Sequence, residues 1–515
     1  MGAEAHSTLA QTPTLGGDMA TEAITTVQES GDPVKIDFWY LVKVGIVFFL
    51  MFGFGYLEPI PPLEKIGMQV VGIFLGMLFA WMGIGYVWPS ILALIALWMT
   101  GYAPLGKIVA TGFGNSVTVF LIMILVFVIY LEKMGLCNRI AYWFLSRKFI
   151  VGRPWFILLI FFTAAYVMAI VTYSYPAMII PWTIAYALCA EVGYKQGEKF
   201  PALMIIGIGV SALMGFTALP IKSTAVVALG LLDSTTQGAH SVNFFDYILL
   251  MLPLTYSVIL LYLGLMRFVF KADVEKLKYI NTEKFQERNA IPVNFREMSS
   301  LTAVLVFIIF MCIPSILPQD MAITKFFKGL GMNGTLLLVI CILGILHYKG
   351  QSLMPFSKIA NSGHLGWDVI IMTACSFSIC GALEDKNVGV TNMIVQYASP
   401  FLENLHPLAF LIFAMLFLSL LTQVMHNLVI AAVFTPLMVN FSLIIGLNPS
   451  LLCIFLIFAY SFSVVTPASS GVAALIFLNE WTSKGLCYKT LTLLYVLALL
   501  LTLFVYVPTG FFLFR

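Results

Sequence analysis

Residues 407–448 read PLAFLIFAMLFLSLLTQVMHNLVIAAVFTPLMVNFSLIIGLN, apolar at both ends and polar in the middle. One greasy leg runs from Leu408 to Leu421 and another from Leu428 to Leu447, with Thr422-Gln423-Val424-Met425-His426-Asn427 between them. The first leg is shorter than the roughly 20 residues that span a bilayer. A single long span would bury Gln423, His426 and Asn427 in hydrocarbon and place Pro436 inside its second part. A hairpin that enters the membrane and turns back gathers those polar groups at a tip near the midplane. Irregular backbone is tolerated there only against protein or a wet cavity. Polar tips of this kind are where membrane carriers hold substrates and ions.

The rest of the chain supports that reading. Of 515 residues, 61% are hydrophobic and 10% charged, and the mean hydropathy is +0.99. Soluble domains are nearer a quarter charged, so the composition predicts an all-α integral membrane protein. Eight cysteines lie mostly in or beside apolar runs and form no CxxC pair, so they read as small core residues. No spaced His/Cys/Asp cluster, phosphate loop, nucleophile elbow or basic-aromatic pattern occurs, which argues against an enzyme, a metal centre and a nucleic-acid partner. Residues 1–35 are polar and lack an apolar core, and are expected to form a disordered cytoplasmic tail rather than a signal peptide.

Apolar spans are expected at about 38–57, 67–84, 86–102 and 112–131. The stretch 154–190 then repeats the opening motif: two apolar legs flank Thr172-Tyr173-Ser174-Tyr175-Pro176, and Pro181 interrupts the second. The next run, 202–232, is broken by Gly215, Thr217, Pro220, Lys222, Ser223 and Thr224, and a span at 247–269 follows. The charged segment 271–297 separates this first half (36–270) from a second (298–515) with the same plan. Spans at 299–317, 333–347 and 367–383 lead to the hairpin 407–447. A broken run, 450–478, carries Ser461, Ser463, Thr466, Pro467, Ala468, Ser469 and Ser470, and a last span covers 489–513. Basic loops at 132–153, 191–200 and 267–297 place the N-terminus in the cytoplasm. The hairpins then enter from opposite sides, an inverted repeat with two re-entrant hairpins and two broken helices.

Several ordered motifs make the chain resemble the divalent anion/sodium symporter family and, more broadly, the ion transporter superfamily. They are Pro61-Pro62, Tyr86-Val87-Trp88-Pro89, Gly112-Phe113-Gly114-Asn115-Ser116, Lys133 to Ala141, Gly366-Trp367-Asp368 and Gly381-Ala382-Leu383, within a match over about 38–515. That family places Ser-Asn-Thr at each hairpin tip, ten residues before a proline. The same count from Pro436 gives His426-Asn427-Leu428, and from Pro181 gives Val171-Thr172-Tyr173, so Asn427 alone keeps the family residue. At the broken helices the family's Gly-Thr-Pro-Pro-Asn-like runs are replaced by Lys222 to Val226 and by Pro467 to Gly471.

The resemblance implies a secondary active transporter of a small anion, a di- or tricarboxylate, working by an elevator movement in the plasma (inner) membrane. It implies a homodimer, with spans 38–102 and 299–347 as scaffold, lipid around it, and Na⁺ as the one ion to be bound. The family's tip asparagine meets a substrate carboxylate, a role that carries to Asn427 alone; read from the residues themselves, the other substrate-binding candidates are Thr172, Tyr173, Ser174, Lys222, Ser223, Thr224, His426, Ser469 and Ser470. The coupling-ion candidates are Thr172, Gly215, Thr217, Asn427, Thr466 and Ala468. Each has a plainer reading: serines and threonines in membrane helices bond the preceding turn, and Asn427 and His426 can cap a tip. Lys222 is costly in an apolar run unless it meets water or a partner. It is expected either to face an anionic substrate or to stand in for a coupling Na⁺. His426 leaves open a proton-coupled carrier; an anion exchanger and a non-transporting membrane sensor on the same scaffold remain alternatives.

Overall fold

The computed structural model describes residues 38–59, 61–146, 152–279, 292–318, 320–361, 365–385, 387–390, 393, 396–397, 400, 405–424, 427–467 and 469–514. The predicted tail, residues 280–291 of the charged linker, His426 and Ala468 lie outside them.

The fold is helical throughout, apart from a two-residue hairpin pairing β1 (His347–Tyr348) with β2 (Gln351–Ser352). In chain order the helices are α1 (Phe38–Tyr56), α2 (Lys65–Gly83), α3 (Val87–Met99), α4 (Leu105–Phe113), α5 (Ser116–Lys133) and α6 (Leu136–Leu145). The first hairpin is α7 (Pro154–Val171) and α8 (Ser174–Glu191), followed by α9 (Lys199–Thr217), α10 (Ser223–Thr235) and α11 (Phe244–Val269). The second half runs through α12 (Phe295–Ile316), α13 (Ala322–Ile345), α14 (Phe356–Ala360) and α15 (Trp367–Glu384). Its hairpin is α16 (Pro407–Leu421) and α17 (Asn427–Ile444), and α18 (Pro449–Ser461), α19 (Gly471–Leu478) and α20 (Lys484–Leu513) close the chain. Among the described residues nine helices are long and apolar enough to cross a membrane.

Helix starts follow local chemistry. Pro154, Pro407 and Pro449 open α7, α16 and α18, where a missing N–H costs nothing. Asn115 caps α5 through Val117 N at 2.9 Å, and Asn448 caps α18 through Ser450 N at 2.9 Å. Asn294 and Glu297 close a capping box on α12, and Glu297 also meets Arg139 of α6 at 3.0 Å. Behind the first hairpin, the Tyr194 hydroxyl donates to Asp273 O at 2.8 Å. Burial, then the Asp273 carboxylate, pushes that phenol above its usual range, so it stays a donor at neutral pH.

The centre of the molecule is α9 and α18. Both are apolar on every side, and α9 is 100% buried across its spanning window. Apolar on every side, such a helix suits a place enclosed by its neighbours, where it meets no water. α7 and α8 pack on α9, α16 and α17 pack on α18, and α9 meets α18 and α19 while α10 meets α17 and α18. The two halves therefore interlock through their hairpins and broken helices. α2, α3, α4 and α15 form a second apolar cluster, and α5, α12 and α13 a third.

Close backbone approach fixes the first hairpin. A Cβ on Gly215 would lie 2.2 Å from the Tyr166 carbonyl oxygen of α7. Because a backbone atom is in the way, Gly215→Ala is expected to cost about 1–3 kcal/mol, read as a lower thermal unfolding midpoint in detergent. Gly106→Ala, whose Cβ would meet nothing within 4 Å, is the matched control.

The expected spans coincide with helices to within a few residues at most boundaries. The span expected at 333–347 instead begins at Ala322. Gly331, with φ 63° and ψ −171°, kinks the helix there, and Lys325 and Lys328 dilute its first turns. α4 and α6 were not expected as separate helices, being short and amphipathic.

Candidate functional site at the hairpin tips

At the first tip α7 stops at Val171 because Thr172 leaves helical geometry, with φ −115° and ψ −130°, and Tyr173 is extended before α8 begins at Ser174. The Thr172 hydroxyl donates back to Met168 O at 2.8 Å. Its carbonyl points instead to the break between α9 and α10. There Lys222, 3% exposed, donates its Nζ–H to Thr172 O. The same ammonium lies 5.7 Å from the centre of the Phe216 ring, which packs on Tyr173 at 5.2 Å between centroids. The Tyr173 phenol lies beside Ser223, and Glu132 at the end of α5 is within electrostatic reach of both Tyr173 and Lys222. Ser174 and Thr224 are buried in the first turns of α8 and α10.

The second tip is held by a residue that the sequence reading left out of the site. Gln423, 6% exposed, donates Nε2–H to Ser419 O at 2.8 Å and Phe462 O at 2.9 Å. Its Oε1 accepts from Val464 N at 3.1 Å and Val465 N at 2.9 Å, the unwound segment between α18 and α19. Thr466 donates its hydroxyl to the Gln423 carbonyl. Ser469 bonds Thr466 O at 2.6 Å, and Ser470 bonds Ser463 O at 2.8 Å while capping α19 through Ala473 N at 3.1 Å. Ser463 Oγ is fully buried with no hydrogen-bond partner among the described residues. Asn427 stands half-buried as the first residue of α17. The signal for Gln423 was its amide in the middle of an apolar run, where only a well-bonded group is tolerated.

The two tips meet. A Cβ on Gly471, at the start of α19, would lie 2.1 Å from the Tyr175 hydroxyl at the start of α8. Thr172, Tyr173, Ser174, Lys222, Ser223 and Thr224 thus form one cluster, and Gln423, Thr466, Ser469 and Ser470 another. Gly215 and Thr217 sit in the last turns of α9. Gly215 packs on α7, and the Thr217 carbonyl accepts from Tyr247 Oη at 2.9 Å. The start of α8 therefore lies against that of α19, and α10 packs beside α17. N-termini carry unpaired N–H groups and the positive end of the helix dipole. The arrangement suits an anion, with unwound carbonyls beside it for a cation.

A family profile described as "Citrate transporter" matches residues 76–459. Among solved structures, the fold is similar to the YdaH transporter of Alcanivorax borkumensis, with a TM-score of 0.57 at 12% identity over 92% of this chain and 99% of that one. It is also similar to MtrF of Neisseria gonorrhoeae, described among a class of antimetabolite efflux pumps, with a TM-score of 0.57 at 14% identity over 94% and 97% of the two chains. A search of curated protein sequences finds no match.

Proposed function

The chain belongs to the citrate transporter family, and from that premise we propose that this secondary transporter carries a di- or tricarboxylate, with citrate as the first candidate. The observation that carries the reading is the pairing of two hairpin tips with two broken helices at one place. Carboxylates are held there by N–H groups at the starts of α8, α10, α17 and α19, with the Lys222 charge beside them. Asn427 is the side chain that contacts substrate, as the divalent anion/sodium symporter resemblance implies. Asn427→Ala is expected to raise the KM for citrate about 10-fold, the worth of one hydrogen bond to a charged group.

The halves are inverted repeats and the hairpins re-entrant, so the interlocked core of α7–α10 and α16–α19 moves as a body against the scaffold. α1, α12 and α13 form that scaffold. They are the least buried spans, at 17%, 22% and 33%, and their apolar faces suit lipid and a second copy of the chain. Coupling to Na⁺ is the reading the resemblance favours. A second reading, coupling to protons, is favoured by the Glu132 carboxyl beside Lys222. Uptake of labelled citrate and succinate into proteoliposomes, under an imposed Na⁺ or proton gradient, tests both. Uptake of neither anion above protein-free liposomes, from folded protein, would sink the proposal.

A further inference from the structure

The two tips share one contact made with different chemistry. In each half, a carbonyl at the hairpin tip accepts a hydrogen bond from a side chain in the unwound stretch of that half's broken helix. At the second tip the donor is the neutral Thr466 hydroxyl on Gln423 O, and at the first it is the Lys222 ammonium on Thr172 O. Unwound carbonyls of this kind are what membrane carriers use to coordinate Na⁺. The Thr172 carbonyl and the face of Phe216 both suit a cation at the Lys222 nitrogen, and Glu132 is within electrostatic reach.

From this asymmetry we infer that the Lys222 ammonium occupies the cation position of the first tip permanently, so that a mobile alkali cation binds only at the second tip. The inference rests on the transport reading for its meaning but not for its test. The tethered ammonium moves with the core and needs neither capture nor release. At the second tip, Ser463 Oγ, buried and without a hydrogen-bond partner among the described residues, is a side-chain oxygen left for a Na⁺ ion. Removing the Lys222 side chain leaves the Thr172 carbonyl and the face of Phe216 without their cation, a place that a Na⁺ ion can take.

The test is equilibrium binding of labelled Na⁺ to the purified full chain in detergent, with choline holding ionic strength constant. Lys222→Ala and Lys222→Gln are each expected to bind one more Na⁺ per chain than the wild type. An unchanged count in a folded variant overturns the inference. Should neither variant fold, the wild type decides: its Na⁺ binding should saturate at one ion per chain, and saturation at two, or no binding at all, overturns the inference. Because Na⁺ is counted without transport, absent anion uptake would defeat the transport reading and leave this result standing.

Discussion

Lys222→Ala is expected to lower citrate uptake by about 100-fold in proteoliposomes under the gradient that drives the wild type, while the protein still folds. Lys222 is 3% exposed, and its ammonium bridges the first hairpin tip and the break in the α9–α10 helix. Truncation removes that bridge and leaves Glu132 without its neighbouring charge. A hydrogen bond to a charged group is worth about 1.5–3 kcal/mol, and 1.4 kcal/mol is already tenfold in rate or binding. The loss falls on the anion-bound state, because the negative substrate gains most from the fixed charge. Lys222→Gln keeps a donor for the Thr172 carbonyl without the charge, so it separates positioning from electrostatics: uptake near the wild-type rate would show that the hydrogen bond alone matters. Retained uptake in both variants would remove Lys222 from the site.

Gln423→Leu is expected to destabilise the protein by about 3–5 kcal/mol, the largest stability effect of any single change considered. The Gln423 amide makes four bonds, to Ser419 O, Phe462 O, Val464 N and Val465 N. Leucine has nearly the same volume, so packing survives while the Phe462 carbonyl and two N–H groups of the α18–α19 break lose their partners in a buried setting. Thr422→Val removes a single 3.0 Å bond to Tyr460 O and is expected to cost about 1 kcal/mol. Thermal unfolding in detergent, followed by tryptophan fluorescence, reads both. A Gln423→Leu midpoint no lower than that of Thr422→Val would show that the unwound segment is held by other contacts.

Much of this fold was legible because its elements are punctuated locally. Prolines at 154, 407 and 449 open helices, and the polar interruptions at 172–176, 215–224, 422–427 and 461–471 mark every turn and break that the structure places at the core. Lys222 was legible for the same reason, a charge where hydrophobicity demands a partner. The short helices α4 and α6 were not, because they are amphipathic and too brief to stand out from their loops. Gln423 was visible as a polar residue but not as the anchor of the second tip. Its partners, Phe462, Val464 and Val465, lie about 40 positions away, and only their unpaired backbone groups recruit it. The role of α9 and α18 as the centre also depends on which helices surround them, something uniform apolar runs do not disclose.

Exchange of labelled citrate into liposomes preloaded with unlabelled citrate, with Na⁺ and pH equal on both sides, reads the carrier itself, since exchange needs no ion gradient. Saturable accumulation is expected in liposomes containing the purified chain, suppressed by excess citrate and strongly reduced in Lys222→Ala. Folded protein that exchanges neither citrate nor any other di- or tricarboxylate above protein-free liposomes would contradict the transport reading.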